Sequence, residues 1–256
     1  MNSRVLLRRT LTASAATLLL TAGCGKKGPL LYPDSLVAQP PQQVTVAQRG
    51  TSLRLSFVVP QKDLAGHRLK DVEAVRILRR VCREADCKGC QEPFQPLQRI
   101  GLAYPGSAER VGNQVSWIDT DVHAGETFQY RLQAEQKDGI AGDATDTPSA
   151  RVGAAAAAPQ VSAAAVFGGA IRIDIAGLTP EGLTLIGYTL LRREGQGRLV
   201  PLTTLSAGVS RYDDQAVQLG RQYQYAAQLI AKRRDGLLVE SELSPVVIVN
   251  LPDSPD

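Results

Sequence analysis

The stretch that decides the fold is WIDTDVHAGETFQY, residues 117–130. It recurs 95 positions later as YDDQAVQLGRQYQY, residues 212–225. Six landmarks keep this offset, including a serine downstream of each stretch. They are Trp117, Asp119, Gly125, Phe128, Tyr130 and Ser149 in the first copy, and Tyr212, Asp214, Gly220, Tyr223, Tyr225 and Ser244 in the second. Constant spacing over six landmarks indicates that one unit occurs twice.

The repeat extends upstream of these stretches with larger offsets. Residues Ala74–Arg80 match Gly187–Arg193 at an offset of 113, and Pro96–Ile100 match Pro201–Leu205 at an offset of 105. The falling offsets therefore place an insertion of eight residues before residue 96 of the first copy. A second insertion, of ten residues, lies between residue 100 and Trp117.

Each copy has the pattern of short β-strands. Apolar residues alternate with polar ones over residues 53–59 and 171–175, as on a strand with one buried face. Asp-Gly pairs at 138–139 and 235–236 lie between apolar runs, and this pair favours a tight hairpin turn. About seven short strands in roughly 100 residues predict a β-sandwich. The expected fold is all-β, with two tandem immunoglobulin-like sandwiches.

The two copies resemble the fibronectin type III family over most of residues 41–251. The resemblance lies in the proline-led first strand, the strand with a basic end, and the Asp–Gly–aromatic stretch that opens this section. In that family the first aromatic residue is a corner tyrosine whose hydroxyl bonds to upstream backbone. The resemblance implies this role for Tyr223, whereas Phe128 has no hydroxyl. Phe57 and Trp117 are expected to fill the space of the family's usual core tryptophan.

Residues 1–23 have the pattern of a secretory signal peptide. Arg4, Arg8 and Arg9 precede an uncharged stretch at residues 10–22, which is too short for a stable membrane-spanning helix. Small residues directly before Cys24 resemble the bacterial lipobox. That resemblance implies cleavage before Cys24 and acylation of this residue with fatty acids such as palmitate. A buried or disulfide-bonded Cys24 and a twin-arginine export signal are the alternatives.

The order of segments follows from these assignments. We expect a signal peptide (1–23), a lipidated flexible stalk (24–40), a first domain with a cysteine-bearing insertion (41–152), an Ala-rich linker without core-forming side chains (153–158), a second domain (159–251) and a tail (252–256). Gly25 after the lipidated position resembles the default route to the outer membrane. The expected location is the periplasmic face of that membrane, with the inner membrane and the cell surface as alternatives.

Residues 24–33, CGKKGPLLYP, resemble the mature N-terminus of small lipoproteins associated with the lipopolysaccharide translocon, the LptM family. The resemblance implies an accessory role in lipopolysaccharide transport or outer-membrane assembly through a docking peptide. Its candidate partner-binding residues are Lys27, Gly28, Pro29, Leu30, Tyr32 and Pro33. The alternative is a spacer near the lipid, because glycine and proline favour an extended chain.

Cys82, Cys87 and Cys90 lie in the first insertion and at its edges. In an oxidising periplasm we expect one disulfide, between Cys82 and Cys90 across the base of the hairpin, with Cys87 as the alternative partner. A redox pair of Cys87 and Cys90 is a further reading. No metal is expected, since a fourth cysteine ligand is missing.

Composition and motifs narrow the function. Removing residues 1–23, with their three arginines, lowers the net charge from +4 to +1, so no nucleic-acid partner is expected. Motifs for a serine nucleophile, a zinc protease or a phosphate loop are absent from the sequence, and neither a cofactor nor a small-molecule substrate is evident. Asp119, Asp121, Asp213 and Asp214 form acidic clusters that we assign to turns rather than to calcium binding. His67 and His123 are assigned to solvated loops.

These observations predict a membrane-anchored envelope lipoprotein that acts as a non-enzymatic binding or scaffolding module, with an envelope protein as its partner. The role in lipopolysaccharide transport through residues 24–33 is one alternative. A carbohydrate-active or redox accessory protein is the other.

Overall fold

The computed structural model describes residues 36–83, 87 and 89–253. This part of the chain is all-β and contains no α-helix. The strands of the first half are β1 (Gln42–Arg49), β2 (Ser52–Val58), β3 (Val72–Cys82), β4 (Gln95–Gly101), β5 (Glu109–Val111), β6 (Gln114–Asp119), β7 (Thr127–Gln136), β8 (Ala141–Asp146) and β9 (Ala150–Arg151). Those of the second half are β10 (Gln160–Val166), β11 (Ala170–Ala176), β12 (Leu183–Glu194), β13 (Val200–Ser206), β14 (Arg211–Asp214), β15 (Gln222–Arg233), β16 (Leu238–Glu240) and β17 (Val247–Asn250).

Each half forms an antiparallel β-sandwich. In the first half, one layer has the order β1-β2-β6-β5 and the other β4-β3-β7-β8, with β9 also paired to β7. In the second half, the layers are β10-β11-β14 and β13-β12-β15-β16, with β17 also paired to β15. The expected fold class is therefore confirmed. The short strand β5 has no counterpart in the second half and lies in the ten-residue insertion.

The two cores are built from the alternating residues of the sequence pattern. Both alternating runs, 53–59 and 171–175, turn their apolar side chains inward. Phe57 and Trp117 pack in the core of the first half, as expected. The predicted hairpins also form, since the Asp-Gly pairs at 138–139 and 235–236 connect β7 to β8 and β15 to β16.

A buried aspartate ties the two layers of each sandwich together. In the first half, Asp119 at the end of β6 accepts a hydrogen bond from the Tyr130 hydroxyl of β7 (2.8 Å) and one from the Arg79 guanidinium of β3 (2.8 Å). The backbone N–H of Asp121 donates to its second oxygen (3.1 Å). A buried carboxylate is tolerated only when it is paired and hydrogen-bonded in this way.

The second half repeats the arrangement at equivalent positions. Asp214 of β14 accepts hydrogen bonds from Tyr225 of β15 (2.9 Å), from Arg192 of β12 (2.8 Å) and from the backbone N–H of Ala216 (3.0 Å). Burial, together with the adjacent carboxylate, raises the pKa of both Tyr130 and Tyr225. Both hydroxyls therefore stay protonated as donors at ordinary pH.

Tyr223 has the corner role that the family resemblance implies. Its hydroxyl accepts a hydrogen bond from the backbone N–H of Gln218 (2.9 Å), five residues upstream. The matching Phe128 cannot accept this bond, but both rings lie beside an arginine: Phe128 is 5.3 Å from the guanidinium of Arg79, and Tyr223 is 5.6 Å from that of Arg192. Gly125 and Gly220, which precede these aromatic residues, have φ angles of +91° and +70°, where other residue types are strained.

One strand pairing joins the two halves. Strand β1 runs parallel to β16, with Ala47 opposite Leu238, Gln48 opposite Val239 and Arg49 opposite Glu240. The pairing makes one continuous sheet with the order β13-β12-β15-β16-β1-β2-β6-β5. Both halves consequently belong to one compact unit that begins at Val37.

The Ala-rich segment 153–158 is fixed on both sides of this junction. The backbone N–H of Gly153 donates to the Gln48 side chain (2.9 Å), and that side chain donates to the carbonyl of Ala154 (3.2 Å). Ala156 is buried in the core of the second half. The expectation that this segment carries no core-forming side chain is therefore wrong for Ala156, because an alanine methyl fits where the chain passes directly over the core.

The aspartate clusters make a prediction about stability. Replacing Tyr225→Phe removes a hydrogen bond to a buried charge and should lower the free energy of unfolding by about 1.5–3 kcal/mol. Replacing Tyr223→Phe removes a bond between neutral groups and should cost about 1 kcal/mol. The control is Tyr104→Phe, because Tyr104 is 89% exposed. Urea unfolding measures all three variants, and equal stabilities of the Tyr225 and Tyr104 variants would contradict the assignment.

Candidate functional site

The junction between the halves contains an ion pair between a half-buried arginine and a buried glutamate. Arg54 of β2 and Glu240 of β16 are in direct contact through Nη2 and Oε1, and the Glu240 side chain is only 6% exposed. Arg54 Nε and Glu240 Oε2 are also buried and have no hydrogen-bond partner among the described residues. The pair is thus only partly satisfied, and a buried ion pair in this state contributes little net stability.

The pKa of Glu240 reflects this environment. Burial raises it above the ordinary value, because the low-dielectric surroundings penalise the charged carboxylate. The positive charges of Arg54 and Arg49 oppose the shift without cancelling it. Protonation of Glu240 therefore links the stability of the junction to pH.

Side-chain hydrogen bonds surround the strand pairing at the junction. Gln48 is 1% exposed, and its side-chain amide donates to the carbonyls of Gly50 (2.9 Å) and Gly153 (3.0 Å). The Arg233 guanidinium of β15 donates to the carbonyl of Arg151 (2.7 Å) in β9. The Gln48 bonds fix the segment after β9 to the first half, whereas the Arg233 bond and the strand pairing join the two halves.

The cysteine-bearing hairpin has a different disulfide from the expected one. Cys82 is bonded to Cys87, with a Cα–Cα distance of 5.5 Å, so the predicted Cys82–Cys90 pairing is wrong and the alternative partner is correct. The prediction assumed that strands β3 and β4 stay paired as far as the cysteines. The last pair of that ladder is Arg79 with Gln95, so no β3–β4 strand pair places Cys90 opposite Cys82, although the Cys90 sulfur lies nearby.

Cys90 keeps a free thiol. Its Sγ lies 3.0 Å from Glu92 Oε2, and the hydrogen bond to this carboxylate raises the pKa of the thiol. A raised pKa lowers the thiolate fraction, which is the reactive form. The three sulfur atoms lie within 4.8 Å of one another, but two of them are already bonded as the Cys82–Cys87 disulfide, so the suggested redox pair of Cys87 and Cys90 is not formed.

Arginines neutralise the acidic clusters considered for calcium. Arg79 binds Asp121 as well as Asp119, at 2.8 Å in each case. In the second half, Arg172 binds Asp213 at 2.9 Å. These carboxylates therefore have a structural role as partners of arginine.

The two histidines each have an acidic partner. His67 Nδ1 lies 3.2 Å from Asp63 Oδ2, and Asp63 also accepts the backbone N–H of His67 (2.7 Å). His123 Nδ1 lies 3.3 Å from Glu126 Oε2. Both histidine side chains are more than half exposed, at 57% and 75%, which is consistent with solvated loops.

Several predicted site residues lie outside the described residues. They are the signal peptide, Cys24 and the candidate partner-binding residues Lys27, Gly28, Pro29, Leu30, Tyr32 and Pro33. Among the described residues, no helix is long and apolar enough to cross a membrane.

Comparisons with known proteins give structural likenesses only. No family model matches the chain, and no curated protein matches it. A crystal structure of the FN1-FN3 domains of chicken CNTN1 is similar, with 12% identity, a TM-score of 0.37, and coverage of 84% of this chain and 69% of that one. A structure described as a myokine has 17% identity and a TM-score of 0.32, and covers 38% of this chain and 99% of that one. Since both scores are below 0.5, the fold assignment depends on the strand order itself.

The raised pKa of Glu240 predicts how the stability of the protein depends on pH. A carboxyl group with a higher pKa in the folded state binds more protons there than in the unfolded state, so its contribution to stability falls as pH rises above about 4.5. Replacing Glu240→Gln removes this term. The stability of the variant relative to the wild type should therefore increase between pH 5 and pH 8 in denaturant unfolding.

The matched control is Glu242→Gln, because Glu242 is two residues further along the chain and exposed. It should show a smaller change with pH. A stability difference for Glu240→Gln that stays constant from pH 5 to pH 8 would contradict the burial of this charge.

Proposed function

We propose that this chain is a lipid-anchored protein of the bacterial cell envelope that acts as a non-enzymatic binding or scaffolding module. The observation that carries the proposal is the junction of β1 with β16, which joins two sandwiches into one unit. A scaffold needs a fixed relation between its surfaces, and this junction supplies it.

The chemistry of the described residues supports a function without catalysis. The most deeply buried carboxylates, Asp119 and Asp214, are held by arginine and tyrosine in clusters that occur in both halves. The cysteine hairpin has one disulfide and one thiol with a raised pKa. We assign these carboxylates and cysteines a structural role. The exposed strand edges and loops are then the candidate surfaces for binding a partner.

The membrane anchor is the part of the proposal that rests on sequence. Acylation of Cys24 with two or three chains would give stable anchoring, since each buried methylene contributes about 0.8 kcal/mol and a single chain is only marginal. Segment 25–40 would then separate the first sandwich from the lipid. We place the protein on the periplasmic face of the outer membrane, with an envelope protein as its partner.

Intact-mass measurement of the protein purified from membranes tests the anchor. The wild type should lack residues 1–23 and carry fatty acyl groups on Cys24, whereas Cys24→Ser should carry none, because serine has no thiol to acylate. The control is Cys90→Ser, which should be acylated as fully as the wild type. An unacylated wild type, or one cut elsewhere, would contradict the proposal.

A second candidate function is assistance to the lipopolysaccharide export barrel, favoured by residues 24–33. Replacing residues 27–33 with a neutral linker leaves Cys24 and Gly25 in place, so acylation should persist. Affinity capture from solubilised membranes should recover the barrel with the native chain and lose it with the replaced one. Equal recovery from both would contradict this function.

A further inference from the structure

The outer edge of β10 is the feature that the proposed function does not yet use. Among the described residues, β10 is paired only with β11, so the backbone groups of its opposite edge have no strand partner, although β17 and β15 of the other layer lie close to β10. Ala164 and Ala165 on this strand are exposed. A free strand edge presents unpaired N–H and C=O groups that can bind another strand.

This edge lacks the protection that other edge strands of the molecule have. Edge strands commonly carry proline or charged residues that prevent further pairing. Pro96 lies in edge strand β4 and Pro201 in edge strand β13, while β14 has the charged sequence RYDD. Strand β10 has the sequence QVSAAAV, with neither proline nor charge.

The internal repeat shows what such an edge binds. In the first half, β1 is the counterpart of β10, since Gln48 lies opposite Leu53 as Ala165 lies opposite Ile171. The outer edge of β1 is not free, because β16 is seated on it as a parallel strand. The chain therefore contains a working example of strand addition at the equivalent position.

The side chains around the two edges also correspond. Arg54, which pairs with Glu240 of the added strand, has Arg172 as its counterpart on β11. Arg172 is bound to Asp213 in an ion pair with both side chains about 40% exposed. An exposed pair of this kind contributes only about 0–1 kcal/mol, so Arg172 can exchange its partner at low cost.

The end of the edge adds an apolar contact. Phe167 follows β10 directly and is 90% exposed. A large aromatic side chain with this exposure gains from burial against a partner. The edge thus combines unpaired backbone groups, an arginine and an exposed aromatic ring.

We propose that the outer edge of β10 is a docking site for an extended strand of a partner protein, added in parallel, with an apolar-apolar-acidic sequence such as residues 238–240. The backbone ladder supplies affinity, and the acidic residue pairs with Arg172 as Glu240 pairs with Arg54. This proposal deepens the binding function proposed above and rests on it.

A second copy of this chain does not fit the edge as the occupant. The donor strand β16 of another copy is already paired with its own β1. Its counterpart β8 is covered by the segment before β1: the Thr145 hydroxyl donates to the carbonyl of Pro41 (2.9 Å), and the carbonyl of Ala38 lies against Gly142. We therefore choose a strand of another protein as the occupant.

The direct test uses the full chain purified in detergent and a fluorescent peptide with the sequence of residues 236–242, GLLVESE. Binding should appear as a saturable increase in fluorescence anisotropy. The backbone N–H of Gly50 donates to the carbonyl of Glu240 on the added strand. Backbone N–H groups two residues apart in a strand point to the same edge. The N–H groups of Gln48 and of its counterpart Ala165 therefore point to the outer edges of β1 and β10.

Replacing Ala165→Pro removes this donor and should weaken binding at least about tenfold. The matched control Ala165→Thr keeps the N–H and should bind as the wild type does. Amide exchange provides a second measurement that needs no variant: the N–H of Ala165 should become protected when the peptide is added. Equal affinity of the proline variant and the wild type, with an unprotected Ala165, would overturn the proposal.

A double-mutant cycle tests the acidic residue. Arg172→Gln should weaken binding of the peptide but not of a peptide with glutamine in place of Glu240. The control is Arg211→Gln on the neighbouring strand, which should leave binding unchanged. An Arg172 variant with unchanged affinity would overturn the apolar-apolar-acidic specificity.

Sedimentation of the same samples tests the other occupant. The wild type should be monomeric without peptide, and a dimer that the peptide or Ala165→Pro dissociates would overturn the choice of a partner protein. The peptide assay does not involve the lipid. Its failure therefore leaves the acylation of Cys24 testable, and a failure of acylation leaves the docking site testable.

Discussion

The parallel pairing of β1 with β16 is the constraint on which the rest of the structure depends. Without it, two sandwiches would be linked only by segment 153–158, and their surfaces would move independently. With it, the layer that begins at β13 continues across the junction to β5. Gln48 and Glu240 are buried because the two halves meet there, and the half-buried Arg54 pairs with Glu240. The partly satisfied ion pair adds little to stability, so we assign the cohesion of the junction to the backbone bonds, to the Arg233 bond and to Leu237, a residue of the second half that packs in the core of the first.

The same pairing makes the two halves unequal, although they are copies of one unit. It uses the outer edges of β1 and β16, which are the first strand of one half and the last hairpin strand of the other. A head-to-tail contact of this kind leaves two edges unused: that of β10, the counterpart of β1, and that of β8, the counterpart of β16. Residues before β1 contact β8, whereas no strand of the described residues is paired with the outer edge of β10. The unpaired outer edge of β10 thus follows from the head-to-tail pairing of the two halves.

Much of the fold could be predicted from the sequence because it is encoded locally. The alternation over residues 53–59 and 171–175 and the two Asp-Gly turns specify strands and hairpins without reference to distant residues. Tyr223 was identified through the repeat and the family resemblance. The aspartate clusters could have been found in the same way. Arg79 recurs at the offset of 113, and Asp119 and Tyr130 recur at the offset of 95. The junction could not, because Arg54 and Glu240 occupy ordinary strand positions and meet only when the halves pack. The disulfide partner of Cys82 could not be predicted either, because the three sulfur atoms lie within 4.8 Å of one another and their spacing in the sequence permits either partner.

The central claim is that the two sandwiches behave as one cooperative body. Scanning calorimetry of the full chain tests it most directly, since a two-state transition requires equal calorimetric and van't Hoff enthalpies. The account predicts a single transition that satisfies this equality at neutral pH. Two separate transitions, each with the enthalpy of about half of the chain, would contradict it.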